Sequence, residues 1–256
     1  MLLASYHTAY NVVGVLVLLP LIDRFTRLVE RILPERGSPL TRYLDPSALE
    51  TPIIAVEAVR RMIARALEAV CGLVEAAVAA ASRGEPVHPV KNAISVSEAA
   101  AALRQAQVFL SDVNGPPGSD DEQRRLTSTL HALDHASHLA ETANGKIDFW
   151  TLRSSPDDAR AGELCAEAMR SATSVAGEVE APAALAVSTE ALVRLEHSAT
   201  QLEEMQRSYR STTLGAVADG ILSADAAILR VETVRSLQAL AYHAWRSAAH
   251  LVGRGG

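Results

Sequence analysis

Lysine is almost missing from this chain, occurring only at Lys91 and Lys146, and aromatic residues make up just 4% of it. The arginine-for-lysine preference is the mark of a GC-rich coding sequence rather than of a function. With a net charge of −6 and no basic stripe to offset it, the composition argues against nucleic acid as a partner. The scarcity of aromatics leaves Ala, Leu and Val to fill the interior. Such thin side chains favour helix, pack helices closely and leave little bulk to shape a ligand pocket. Only two cysteines occur, Cys71 and Cys165, in separate helical runs, so no disulfide framework is implied and both read as small core residues. A glycine-rich phosphate loop, a nucleophile elbow and a Cys/His array with zinc spacing are all missing, which argues against an enzyme. No stretch alternates as a strand for more than a few residues.

Long hydrophobic runs are also lacking, with one exception at the start. Residues 2–22 contain no charged side chain. As a helix they would span about 31 Å, the thickness of a hydrocarbon core. A signal peptide would need a basic start and a small-residue cleavage site, and neither is present. The run continues into LIDRFTRLVERIL, where Phe25, Leu28, Val29 and Ile32 recur at helical spacing among Arg24, Arg27 and Arg31. Residues 23–33 therefore read as an amphipathic helix on the membrane surface, and the arginines put that surface in the cytoplasm. The remaining alternative is a buried core helix. His7 and Asn11 interrupt the apolar run, and inside a bilayer each needs a partner on a neighbouring helix. No second run of comparable length supplies one, so the segment reads as a piece of a larger membrane domain.

From Tyr43 onward the pattern is helical throughout. Asp45 before Pro46 makes a start signal, and a seam of coiled-coil type follows over residues 48–83 through Val56, Val59, Ile63, Ala66, Val70, Leu73 and Ala77. A second helix opens at Ser95 with a capping box to Glu98 and aligns Ala99, Leu103 and Ala106. A third opens at Ser119 and aligns Leu126, Leu130, Leu133, Ser137 and Ala140. After the break around Trp150, three more helices begin at Ser155-Pro156, near Val187 and near Ser223. Three long helices, a break and three more predict an all-α fold of two antiparallel three-helix bundles, residues 46–150 and 151–256, behind a linker at 35–45. One continuous six-helix bundle is the alternative.

Chemistry-bearing residues are few. LHALDHASHLAE places Asp134 and His138 four apart, with His131 and His135 beside them, and such an i, i+4 pair can chelate a metal from one helix face. The plainer reading is a polar, solvated face, because one helix supplies only part of a ligand set. Asp120, Asp121, Glu122, Asp157 and Asp158 sit at helix starts, where capping explains them. His243 beside Trp245 reads as packing.

The opening ASYHTAYNVVGVLVLLPLIDRFTRLVERILP resembles the end of the membrane domain of bacterial sodium/phosphate cotransporters, with a His-x-x-x-Asn spacing and a proline before a surface helix. RYLDPSALETPIIAVEAVRR is similar to the junction through which those proteins enter a cytoplasmic PhoU-like domain of two three-helix bundles. The resemblance implies the C-terminal part of such a protein, held at the bacterial inner membrane with its bundles in the cytoplasm. Its implied partners are membrane lipid, a membrane transport domain supplied elsewhere and a second copy of the chain. The family's Gln-Ser-Ser motifs are absent, so the chain is not expected to transport phosphate alone. A regulatory role follows, with a soluble phosphate-signalling adaptor or a structural helical module as alternatives. Metal-binding PhoU proteins carry an acidic motif on the third helix of each bundle. Here DHASH puts Asp134 and His138 on its two acidic positions, whereas QALAY leaves Gln238 and Tyr242. No cofactor is expected on that basis, and a divalent metal at the first half-site is the one left open.

Overall fold

The computed structural model describes residues 39–86, 93–113, 115, 118–180 and 189–255. The expected membrane and surface helices at 1–34, with His7 and Asn11, lie outside these residues, as do residues 87–92 and 181–188, where the sequence predicts breaks between helices. Within them the fold is all-helical, as the sequence predicts. Six α-helices run over Pro52–Arg83 (α1), Val96–Ser111 (α2), Asp120–Asn144 (α3), Pro156–Glu180 (α4), Thr189–Ala218 (α5) and Ala224–Leu251 (α6). No helix among the described residues is long and apolar enough to cross a membrane.

The start of α1 differs from the expectation. Asp45 does cap, accepting from the Ser47 N–H at 2.8 Å, but it caps a 3-10 turn at Pro46–Glu50. The α-helix begins six residues later at Pro52, because a second proline there supplies its own helix start. At its other end Gly84 takes φ 74°, and its N–H closes onto the carbonyls of Ala80 and Ala81. Arg153 lies over this turn, so a Cβ at Gly84 would stand 2.5 Å from Arg153 Nη1. Glycine is needed there for the φ value, since the Arg153 guanidinium is the mobile end of a long side chain and could move aside. The capping box at Ser95 forms in both directions, with the Ser95 N–H donating to Glu98 Oε2 at 2.7 Å. At Ser119 only half of it forms, since Glu122 accepts from the Gly118 N–H instead.

The buried face of α1 drifts along its length. Val56, Val59, Ile63 and Val70 are buried, but further on Val74 and Val78 replace the expected Leu73 and Ala77. A straight helix turns once in 3.6 residues, so a face read as a strict seven-residue repeat drifts by about 20° per heptad, about 60° over the three heptads from Val56 to Ala77 and more than half the step between neighbouring residues. In α3, Leu130 is exposed and the interior takes Thr129, Ala132, Leu133, Ala136, Leu139 and Ala140. Alanine at 132, 136 and 140 lets a neighbouring helix approach closely.

The packing partners follow helix position. Helices α1, α2 and α3 contact one another, as do α4, α5 and α6. Between the two sets, α1 lies against α4 and α3 against α6. Glu75 meets Arg170 at 3.3 Å while Val78 lies beside Gly162, so α1 and α4 run in opposite directions. His131 stacks on His250 and His138 meets His243, so α3 and α6 also run oppositely. The buried Ser247 hydroxyl donates to the Ala132 carbonyl across this second seam at 2.9 Å. One continuous hydrophobic cluster extends from Leu40 through all six helices to Leu251. Cys71 on α1 and Cys165 on α4 belong to it as free thiols, fully buried, as the sequence predicts.

Candidate functional site

Asp134 and His138 sit on the outer side of α3. His138 Nε2 is 3.7 Å from Asp134 Oδ1, and His138 Nδ1 is 3.4 Å from Glu141 Oε2, with all three side chains about half exposed or more. Among the described residues no group of three or more His, Cys, Asp or Glu side chains is arranged to hold a metal ion. The facing stretch of α6 supplies Gln238 and Tyr242, neither a carboxylate. The donor set present therefore does not fit a multinuclear metal cluster.

What the pair does belong to is a seam of imidazoles. His131, His135 and His138 follow one another at i, i+4 and i+7 on α3, which places them on one helical face. His243 and His250 are seven apart on α6, on the face that meets it. Because the helices run oppositely, His131 pairs with His250 (ring centroids 4.8 Å, stacked) and His138 with His243 (5.2 Å). His135 lies between, with its Nδ1 3.2 Å from His243 Nδ1 and its ring stacked 5.9 Å from that of His250. Tyr242 closes edge-on against His135 at 5.8 Å, and Arg246 approaches His250 Nε2 to 3.3 Å.

Crowding sets the charge state of this seam. Burial and the adjacent His243 push His135 down to about 4, with Arg246 and His250 adding to the effect and Asp134 opposing it. His243 is lowered by burial and by His138. His250 is lowered by burial, then by Arg246 and His131. At neutral pH these three rings are neutral, with one nitrogen donating and one accepting.

Sequence reasoning found His131, His135 and Asp134/His138 through their spacing on one helix. It read His243 as packing and did not single out His250. The missing signal is non-local: the α6 histidines matter only once α6 lies antiparallel to α3.

A second polar centre was read from sequence as simple capping. Asp158 is 1% exposed. Its Oδ2 is 2.7 Å from Arg230 Nη2 and accepts from the Ser155 hydroxyl at 2.6 Å, while the Tyr209 hydroxyl donates to Oδ1. Arg230 closes the ring, donating through Nη2 to Ser155 Oγ at 2.7 Å and through Nε to the Tyr209 oxygen at 3.1 Å. Each of α4, α5 and α6 contributes to it. Every member has a partner inside the ring, so its chemistry is that of a structural tie.

No family model matches the chain, and no curated protein or solved structure is found to be similar to it.

Proposed function

We propose that this chain is a helical regulatory module of the PhoU-like kind that works beside a membrane transport domain of the sodium/phosphate cotransporter type. In this reading, residues 1–34 supply a membrane helix and a surface helix, and residues 46–150 and 151–256 are two three-helix units in the cytoplasm. The chain relays phosphate status to the transport domain and carries out no reaction of its own.

The observation that supports the reading is the pairing of helices by rank. The first helix of one set packs on the first of the other, and the third on the third, each pair running oppositely. Two copies of one three-helix unit brought face to face about an approximate twofold would pack in this way. The stretches that the resemblance aligns, 134–138 and 238–242, also meet, since His135 touches Tyr242.

The test is carbonate extraction of membranes from cells expressing the full chain or residues 35–256. The full chain should stay in the membrane pellet and the shorter one should leave it as a folded helical protein. Recovery of the full chain in the supernatant would favour the soluble adaptor. Phosphate uptake should change when the chain is deleted; unchanged uptake would favour the structural module.

A further inference from the structure

At the end of the α3–α6 seam, where α3 begins and α6 ends, the surface opens into a basin of about 870 Å³. Its walls carry four arginines from three helices: Arg60 on α1, Arg124 and Arg125 on α3, and Arg246 on α6. His131 and His250 line it as well, and Asp120 is the one carboxylate among its lining residues. This concentration of positive charge stands on a chain whose net charge is −6.

The arginines are incompletely neutralised. Arg124 pairs with Asp121. Arg125 makes no side-chain hydrogen bond or ion pair among the described residues. Arg60 is only 17% exposed and donates to the Leu251 carbonyl. Its Nε lies 3.5 Å from Glu57 Oε2 but has no hydrogen-bond partner. Arg246 donates to the Gly255 carbonyl at 3.1 Å, and its buried Nε likewise has no hydrogen-bond partner. Burial lowers Arg60 from its ordinary value, and the nearby Arg125 adds to that against the opposing charge of Glu57. Guanidinium groups held close in this way repel one another and gain most from an anion placed between them.

A second polar hollow on the molecule shows the contrast. Between α4 and α5, Arg160, Arg170 and Arg194 line a basin of about 440 Å³. Each is paired with a glutamate: Arg160 with Glu163, Arg170 with Glu167 and Glu75, Arg194 with Glu190. Arginine content is similar in the two hollows. Among the described residues, Arg125 and Arg246 of the first hollow have no carboxylate partner, whereas every arginine of the second has one.

We propose that this basin binds a phosphate-bearing anion of at least two negative charges, held by Arg60, Arg125 and Arg246 with His131 and His250 at its edge. Planar guanidinium forks match the oxygen spacing of a phosphate group, and several arginines converging on one space select a multiply charged oxyanion over a single carboxylate. A soluble pyrophosphate group and the headgroup of an anionic phospholipid both offer that chemistry. The assignment rests on the basin alone and stands apart from the transporter reading, so failure of either leaves the other in place.

The experiment is calorimetric titration of the full chain in a non-ionic detergent with pyrophosphate and, separately, with the water-soluble dihexanoyl phosphatidic acid. Binding of one equivalent is expected, weakened at least tenfold in Arg125→Glu and in Arg246→Gln. Arg194→Glu, in the neutralised hollow, should bind as the parent does. Pyrophosphate binding assigns a soluble ligand, and binding of the lipid alone assigns a headgroup. Either supports the site if the variants lose it. A second measurement needs no variant: pyrophosphate or the lipid should protect Arg60, Arg125 and Arg246 from phenylglyoxal, read by peptide mass spectrometry. No binding of either probe, or binding that survives Arg125→Glu, would overturn the proposal. So would phenylglyoxal protection no greater than that of Arg194.

Discussion

His135 on α3 and His243 on α6 hold their Nδ1 atoms 3.2 Å apart. One ring must donate and the other accept, so the contact exists only while at least one imidazole is neutral at that atom. Around the pair stand His131, His138 and Asp134 with Glu141 on α3, and Tyr242, Arg246 and His250 on α6. Protonating both central rings would place two cations in contact beside Arg246.

This relationship fixes the direction of an acid response. His135 is depressed from an ordinary value near 6.5 to about 4, so below pH 6.5 the unfolded chain takes up a proton that the native seam refuses. The stability it confers is complete above pH 6.5 and is lost as pH falls toward 4; His243 and His250 act in the same direction. The melting temperature should therefore fall over that window. In His135→Phe the fall should be shallower, measured by circular dichroism from pH 7.5 to 4. An equal slope in the variant would locate the acid sensitivity elsewhere.

The ring around Asp158 predicts a stability effect of another kind. Removing one member of a buried ion pair strands its partner's charge, at a cost of about 3–5 kcal/mol. Arg230→Met should cause a loss of that order in urea unfolding. The double variant Asp158→Leu/Arg230→Met should recover much of it, because no charge is then left unpaired. Burial and the hydrogen bond to Asp158 push Tyr209 up to about 12. Its phenolate absorbance should thus appear well above pH 10 in spectrophotometric titration, unlike that of an exposed tyrosine.

Asp134 and His138 lead to the opposite expectation. Their side chains are 63% and 51% exposed, and an ion pair so placed contributes little. The double change Asp134→Ala/His138→Ala should shift unfolding free energy by no more than about 0.5 kcal/mol. Zinc retained after dialysis, read by elemental analysis, should be the same in parent and variant. A loss of bound zinc in the variant would restore the first half-site as a metal ligand.

The two cysteines should be silent. Burial pushes the Cys165 thiol up to about 12 and raises that of Cys71, with each fully enclosed in the α1–α4 interface region. A thiol reagent should label neither in the native protein at pH 8 and both in denaturant. Rapid native labelling would mean that the seam opens.

The sequence by itself determined that this is a helical protein and where most helices start. Capping at Ser95, Ser119 and Ser223 and the glycine at 84 are local chemistry, written within a few residues of where they act. It also placed three histidines on one face of α3, because spacing along a single helix is geometry that the chain carries with it. Which face of a helix is buried was less legible. The slide from Leu73 and Ala77 to Val74 and Val78 depends on how straight α1 runs and on what packs against its far end. The partners of the α3 histidines, the closed ring at Asp158 and the convergence of Arg60, Arg125 and Arg246 were not legible at all. Each joins side chains from two or three helices separated by tens of residues or more. A sequence pattern records rotation about one axis. Only the antiparallel stacking of α3 on α6 and of α1 on α4 decides which of those faces meet.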